Sequence, residues 1–115
     1  MASSAESQEV EPSLSSPPPR QPALRIDELA PGAHLVIRTE TVVYQMTVID
    51  PHTRQAVVSG GPLFPAPIGV QVEGCSCQGM FVEIGGICIG CSLELRTPHG
   101  LVVTAPVRSI GYVQH

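Results

Sequence analysis

Residues 80–95 read MFVEIGGICIGCSLEL, and the fold depends on how this stretch bends. Gly85 and Gly86 form a two-residue loop that can adopt the positive φ angles of tight β-hairpin turns. A bend there would align the flanking residues as three apolar pairs on one face. The expected pairs are Ile84 with Ile87, Val82 with Ile89, and Met80 with Cys91. The alternation therefore predicts a diglycine hairpin whose second strand runs unbroken over residues 87–96.

The chain beyond residue 25 also consists of short apolar runs separated by glycines. All 11 glycines lie between Gly32 and Gly111, where they separate short runs rich in Val, Ile and Leu. A second hairpin is expected around the turn at residues 50–54. Its expected pairs are Val48 with Ala56 and Met46 with Val58. Other predicted strands cover residues 35–39, 68–73, 101–104 and 107–113. The pattern predicts an all-β fold, a small barrel or sandwich of about six to eight short antiparallel strands.

The N-terminal segment has a different composition. Residues 1–24 are rich in Ser, Pro and Glu and contain neither glycine nor an aromatic residue. Such a segment cannot bury enough apolar surface to offset the entropy of ordering it. We therefore expect a disordered tail over residues 1–24 and a single β-domain over residues 25–115.

Charge and hydropathy argue against several classes of partner. The net charge is -4, lysine is absent, and the arginines are spread singly along the chain, whereas a nucleic-acid surface needs clustered cations. Residues 1–7 include Glu6 and lack the basic start and apolar run of a signal peptide. No run approaches the roughly 20 apolar residues of a membrane span. We expect a cytoplasmic protein that binds neither nucleic acid nor membrane, with reduced cysteines.

The four cysteines are spaced as CSC and, ten residues later, CIGC. Two close pairs of thiolates can bind zinc or hold an iron–sulfur cluster. Their positions are Cys75, Cys77, Cys88 and Cys91. The diglycine hairpin, however, would set Cys75 about 26 Å from Cys88, at about 3.3 Å per residue along the strand. We therefore expect free structural cysteines and no cofactor. A zinc or iron–sulfur site is the alternative if Gly74 and Gly79 let the intervening loop fold back, and a disulfide or redox pair is a further one.

Few other residues suggest chemistry. Asp50 and His52 flank a proline, and a carboxylate can orient an imidazole for acid–base catalysis, but no nucleophile motif accompanies them. Gly60–Gly61 and Gly85–Gly86 are not followed by helices, so they do not predict phosphate binding. Leu63 and Phe64 lie in a proline-rich connection and could contact a ligand or partner, although Phe64 could equally close the core.

Two resemblances rest on short segments. Ile87–Leu95, followed by Val107–Ile110, resembles the second-domain β-barrel of translation-type GTPases, which implies a β fold but no GTP chemistry, because the GTPase domain itself is missing. A wider set of segments is similar to small uncharacterised bacterial β-domain proteins. These segments are Pro31–Gly32, Leu35–Thr39, Val43–Tyr44, Gly60–Gly61 with Phe64–Pro65, and Ala105–Ile110. That family lacks this cysteine set, which argues against the cysteines as its shared functional residues. The resemblance implies a β fold and indicates no particular activity.

These observations lead to one expectation about function and two alternatives. We expect a non-catalytic β-domain that binds a protein partner or a small ligand, or that forms a homo-oligomer through an unpaired edge such as residues 35–39. The first alternative is a small zinc or iron–sulfur protein using the four cysteines. The second is an enzyme with a site at Asp50 and His52.

Overall fold

A computed structural model describes residues 23–113, which contain ten β-strands and one turn of 3₁₀ helix at Ile26–Glu28. The strands are β1 (Leu24–Arg25), β2 (His34–Arg38), β3 (Val43–Asp50), β4 (Gln55–Gly60), β5 (Phe64–Cys77), β6 (Met80–Ile84), β7 (Gly86–Ile87), β8 (Ser92–Thr97), β9 (Gly100–Pro106) and β10 (Ser109–Val113). The all-β prediction is confirmed. No helix among these residues is long and apolar enough to cross a membrane.

Eight strands form one antiparallel sheet. Its order is β10-β2-β3-β4-β5-β8-β9, with β6 also paired to β5, while β1 and β7 form a separate two-stranded sheet. Within residues 23–113 the end strands β9 and β10 do not pair with each other, so the sheet is not a closed barrel and the sandwich alternative fits. The predicted tail lies outside the described residues except for its end, where Leu24 pairs with Ile87.

The hairpin predicted at residues 50–54 is confirmed in its register. β3 and β4 pair Val48 with Ala56 and Met46 with Val58. All four side chains are at most 2% exposed, because alternate positions of both strands face the core. The expected free edge at residues 35–39 is wrong, since β2 pairs with β10 on one side and with β3 on the other.

The diglycine hairpin is also wrong. β6 pairs backwards onto β5 through a turn at Gln78 and Gly79, whose φ angles are 55° and 81°. Gly86 instead pairs with Arg25 in the two-stranded sheet. The predicted strand over residues 87–96 is broken at residues 88–91, and β8 then pairs with β5 and β9. Glycine-containing segments flank β6 on both sides, Gln78–Gly79 before it and Gly85–Gly86 after it. The hairpin forms at the first of these segments, so β6 pairs with β5.

A single main core fills the sandwich. It is built almost entirely from aliphatic side chains of β2, β3, β4, β5 and β8, joined by Ile26, Ile87 and Val107. A second, smaller buried cluster lies apart from it and consists of Cys75, Cys88 and Cys91. The fold therefore has one cluster whose buried members are all thiols.

Candidate thiol site

The first pair of cysteines lies at the C-terminal end of β5. Cys75 and Cys77 are two residues apart on a strand, so they share a face. Directly before them Gly74 has a φ of 146°, and after them the Gln78–Gly79 turn reverses the chain into β6. Cys75 is fully buried and Cys77 is partly exposed. The end of β5 thus presents one enclosed thiol and one reachable thiol.

The second pair lies in a tight turn between β7 and β8. The backbone N–H of Cys91 donates to the carbonyl of Cys88 at 3.2 Å, and Gly90 supplies a φ of 87°. The turn is held from outside as well, since Gly90 N–H donates to the Val107 carbonyl at 2.7 Å and Val107 N–H donates to Cys91 at 2.9 Å. Both cysteines are 1% exposed. The CIGC segment is therefore a fixed turn rather than part of a strand.

The two pairs meet. The Sγ atoms of Cys75 and Cys88 are 2.6 Å apart, and the Cys77 thiol lies 3.8 Å from the carbonyl oxygen of Gly90. Cys77 and Val82 pack against the buried cluster. The predicted separation of about 26 Å between Cys75 and Cys88 is therefore wrong. The condition attached to the four-cysteine alternative holds instead, because the chain folds back between Gly74 and Gly79.

Burial controls the protonation of Cys75. Desolvation, followed by the hydrogen bond with Cys88 and the nearby Cys88 and Cys91 sulfurs, raises the pKa of Cys75 to about 12. At neutral pH this side chain is a neutral thiol in the metal-free protein, and a neutral thiol is a poor nucleophile. The geometry therefore offers little support for a redox pair that reacts readily through Cys75.

Four sulfurs in two close pairs are the ligand set of a closed zinc site, in which Zn–S bonds of about 2.3 Å set the sulfurs about 3.7 Å apart. Within residues 23–113, no three His, Cys, Asp or Glu side chains already stand in the arrangement of a metal site. The contact between Cys75 and Cys88 would have to open by about 1 Å to reach the zinc spacing. Side-chain rotation supplies a movement of that size without a change of register.

The other predicted site residues lie elsewhere. Asp50 accepts a hydrogen bond from the backbone N–H of His52 at 3.0 Å, which is the role of an aspartate that forms a turn. Phe64 is 3% exposed and contacts Tyr44 edge-to-face, with ring centroids 6.0 Å apart. Leu63, beside it, is 55% exposed. Of the two roles expected for Phe64, the structure shows the one in which its ring closes the core. Of the two residues, Leu63 is the one that faces solvent.

Sequence reasoning missed Val107, the residue that anchors the CIGC turn. Its contacts with Gly90 and Cys91 use only backbone atoms, so no residue type marks the position. Comparison of this chain with protein-family models, with curated proteins and with solved structures gave no match. The two resemblances stay predictions, and the function is inferred from the geometry of the site.

Proposed function

We propose that this chain is a non-catalytic β-sandwich module whose four cysteines bind one zinc ion. The observation that supports the proposal is the convergence of Cys75 and Cys77 at the end of β5 with Cys88 and Cys91 in the adjoining turn. A four-thiolate site leaves no coordination position for a substrate, so its role is structural. The proposed zinc site would fasten β6 and the end of β5 to the turn that leads into β8.

The packing of the sulfurs favours a single ion over an iron–sulfur cluster. An iron–sulfur cluster adds inorganic sulfides and at least two irons between the cysteine ligands. The Cys75 and Cys88 sulfurs are 2.6 Å apart and both side chains are buried, so a cluster would have to separate them much further than one zinc ion would. For this pair of sulfurs, one zinc ion needs a movement of only about 1 Å.

The proposal has a definite proton balance. Zinc binds thiolates, so each cysteine that becomes a ligand loses its proton. The raised pKa of Cys75 makes this loss unfavourable in the absence of an ion. Zinc affinity should therefore rise with pH, and uptake should release protons into a weakly buffered solution.

The test is metal analysis of the full chain purified in reducing buffer. We expect one zinc per chain and no reaction of the four thiols with a thiol reagent until a chelator is added. Cobalt substitution should add the visible and near-ultraviolet absorption of cobalt bound by four thiolates. Cys75→Ser should lower zinc affinity by at least about tenfold, because a bound thiolate is replaced by a weakly coordinating hydroxyl.

Ser76→Ala provides the matched control, because it changes the residue between the two β5 cysteines and keeps every thiol. It should bind zinc like the natural chain. The proposal is wrong if protein that has been reduced and supplied with zinc retains less than one zinc ion per chain and all four of its thiols react with the reagent. It is also wrong if protein purified with a reductant still contains a Cys75–Cys88 disulfide when its mass is measured without further reduction.

A further inference from the structure

A groove of about 450 Å³ lies between β6 and the turn that joins β3 to β4, and one of its lining residues, Val82, also packs against the thiol cluster. His52 and Arg54 line one side, and Phe81 and Ile84 of β6 line the other. The volume lies within the range of small-molecule sites. Phe81 is 48% exposed and Ile84 is 60% exposed, so the groove presents a cation and two apolar side chains to solvent.

Arg54 is held in place from several directions. Its Nε donates to the carbonyl of Val72 at 2.9 Å, and its backbone carbonyl accepts the N–H of Val72 at 2.8 Å. Its stem runs over Gly85, where an added Cβ would lie 2.9 Å from the arginine Cδ. The side chain is therefore fixed before any ligand arrives, which lowers the entropy lost on binding.

The terminal nitrogens of Arg54 are available. Within residues 23–113, the guanidinium of Arg54 has one protein partner, the Val72 carbonyl bound by Nε. No carboxylate in this range forms an ion pair with Arg54. The two terminal nitrogens form the planar fork that matches a carboxylate with two parallel hydrogen bonds. Arg54 thus offers a preorganised site for an anion.

The remaining charged side chains of the groove, one positive and two negative, are paired with one another. Arg25 forms ion pairs with Asp27 and Glu83, which also line the groove. Its hydrogen bonds with Asp27 and then Glu83 raise the pKa of Arg25, so the group stays charged and engaged. Counting these three side chains with Arg54 leaves two positive and two negative charges, of which Arg54 alone is uncompensated by contact. This balance suits a monoanion better than a phosphate dianion.

We propose that this groove binds a small organic monocarboxylate, with the carboxylate on Arg54 and an apolar body lying against Phe81 and Ile84. The site shares β6 with the thiol cluster, but none of its residues is a proposed zinc ligand, so the two proposals can be tested separately. The apolar body contributes because removing apolar surface from water is favourable. A bare carboxylate would use the arginine alone and bind more weakly.

The test is an NMR titration of the full ¹⁵N-labelled chain with three probes: acetate, hexanoate and 3-phenylpropionate. We expect saturable shifts at residues 52–54 and 81–84, with affinity rising from acetate to the two larger acids. Hexanamide and 3-phenylpropionamide should bind at least about tenfold more weakly, because they lack the charge-assisted bond. The proposal is overturned if no acid saturates by about 20 mM, or if the amides bind as well as the acids.

Two pairs of variants separate the site from general charge. Arg54→Gln should weaken binding by about tenfold or more, whereas Arg38→Gln removes an exposed arginine of β2 outside the groove and should change nothing. Ile84→Glu places a like charge beside the ligand and should abolish binding, while Ile84→Gln should retain most of it. This second pair keeps the test decisive if Arg54→Gln does not fold. Equal binding by Ile84→Glu and Ile84→Gln would overturn the proposal.

Discussion

Gly74 lies where β5 changes its neighbour from β4 to β6, directly before Cys75. Its φ of 146° is in the region that L side chains rarely adopt. A methyl group there would meet the backbone carbonyl oxygen of Glu83 and would lie 2.8 Å from the Phe81 ring. The absence of a side chain at this one residue lets β6 close over the thiol cluster.

We expect Gly74→Ala to lower the free energy of unfolding by about 2 kcal/mol or more, from backbone strain together with the clash. Gly69→Ala is the control in the same strand, because an added Cβ there meets nothing within 4 Å. It should change stability by about 0.5 kcal/mol or less. Urea denaturation measures both, and similar effects at the two positions would contradict the strain argument.

The raised pKa of Cys75 gives a pH dependence with a definite sign. In the unfolded chain the thiol ionises near about pH 8.5, whereas in the folded, metal-free protein its pKa is about 12. Above about pH 8.5 the unfolded state therefore binds fewer protons than the folded state, so stability falls as pH rises toward the folded pKa. The contribution is fully present at neutral pH.

The urea midpoint of the reduced, chelator-treated protein should therefore decrease as the pH is raised from about 7 to about 9.5. This range stays below the ordinary pKa of tyrosine, about 10, which keeps Tyr44 from contributing much. Cys75→Ala should be less stable throughout but should show a flatter pH dependence. Parallel curves for the two proteins would show that Cys75 does not cause the decline.

At the scale of elements, the hairpin of β3 and β4 could be predicted because its information is local. Asp50 and Pro51 specify a turn, and the alternation on both sides fixes the register. The chain around Gly85–Gly86 carries a similar local signal, yet its partners are distant. Gly86 and Ile87 pair with Leu24 and Arg25, far away in sequence. A local alternation of apolar and polar residues cannot predict a pairing between segments so far apart in sequence.

For the same reason, the sequence predicts the convergence of the four cysteines only as an alternative. Residues 77–80 read CQGM and residues 84–87 read IGGI, so each segment could supply a two-residue turn. The choice between these turns decides whether β6 pairs with β5 or with the following strand. The metal-ligand spacing of the cysteines was visible in the sequence, but the register that brings Cys75 to Cys88 was not.

Ile87 and Ile89 distinguish the observed arrangement from the diglycine hairpin, which would bury both. In the structure Ile87 is 0% exposed and belongs to the main core, whereas Ile89 is 43% exposed in the CIGC turn. We expect Ile87→Ala to lower stability by about 2–4 kcal/mol and Ile89→Ala by about 1 kcal/mol or less. Chemical denaturation of the two variants measures the difference, and equal losses would favour the hairpin.

At the scale of the whole molecule, the path of the open sheet within residues 23–113 ends at β9 and β10, while β6 pairs with β5 alone. Both end strands carry exposed apolar side chains. These are Leu101 and Val103 on β9, and Tyr112 and Val113 on β10. Strands at the ends of a sheet present backbone groups that can pair with another chain. The expectation of a protein partner or homo-oligomer stays a prediction, and its place moves from residues 35–39 to these two strands.

The proposed zinc site connects segments that otherwise belong to different parts of the sheet. Cys75 and Cys77 lie on β5, while the Cys88–Cys91 turn follows β7, which pairs with β1, and is hydrogen-bonded to Val107 near β10. An ion held by both pairs would bind the folded chain more tightly than the unfolded one, so it would stabilise the whole domain. The gain is at most about 2.7 kcal/mol when free zinc is 100 times Kd, because binding to unfolded cysteines reduces it.

For a domain of this size, each kcal/mol raises the melting temperature by about 4–8 °C, so zinc at that excess should raise it by up to about 10–20 °C. Melting of reduced protein with zinc and with chelator, followed by circular dichroism, measures this shift. Cys75→Ser should show little of it, because the most buried ligand is lost, whereas Cys77→Ser should retain part of it, because Cys77 is the partly exposed thiol. An equal zinc shift in Cys75→Ser and the natural chain would place the ion elsewhere.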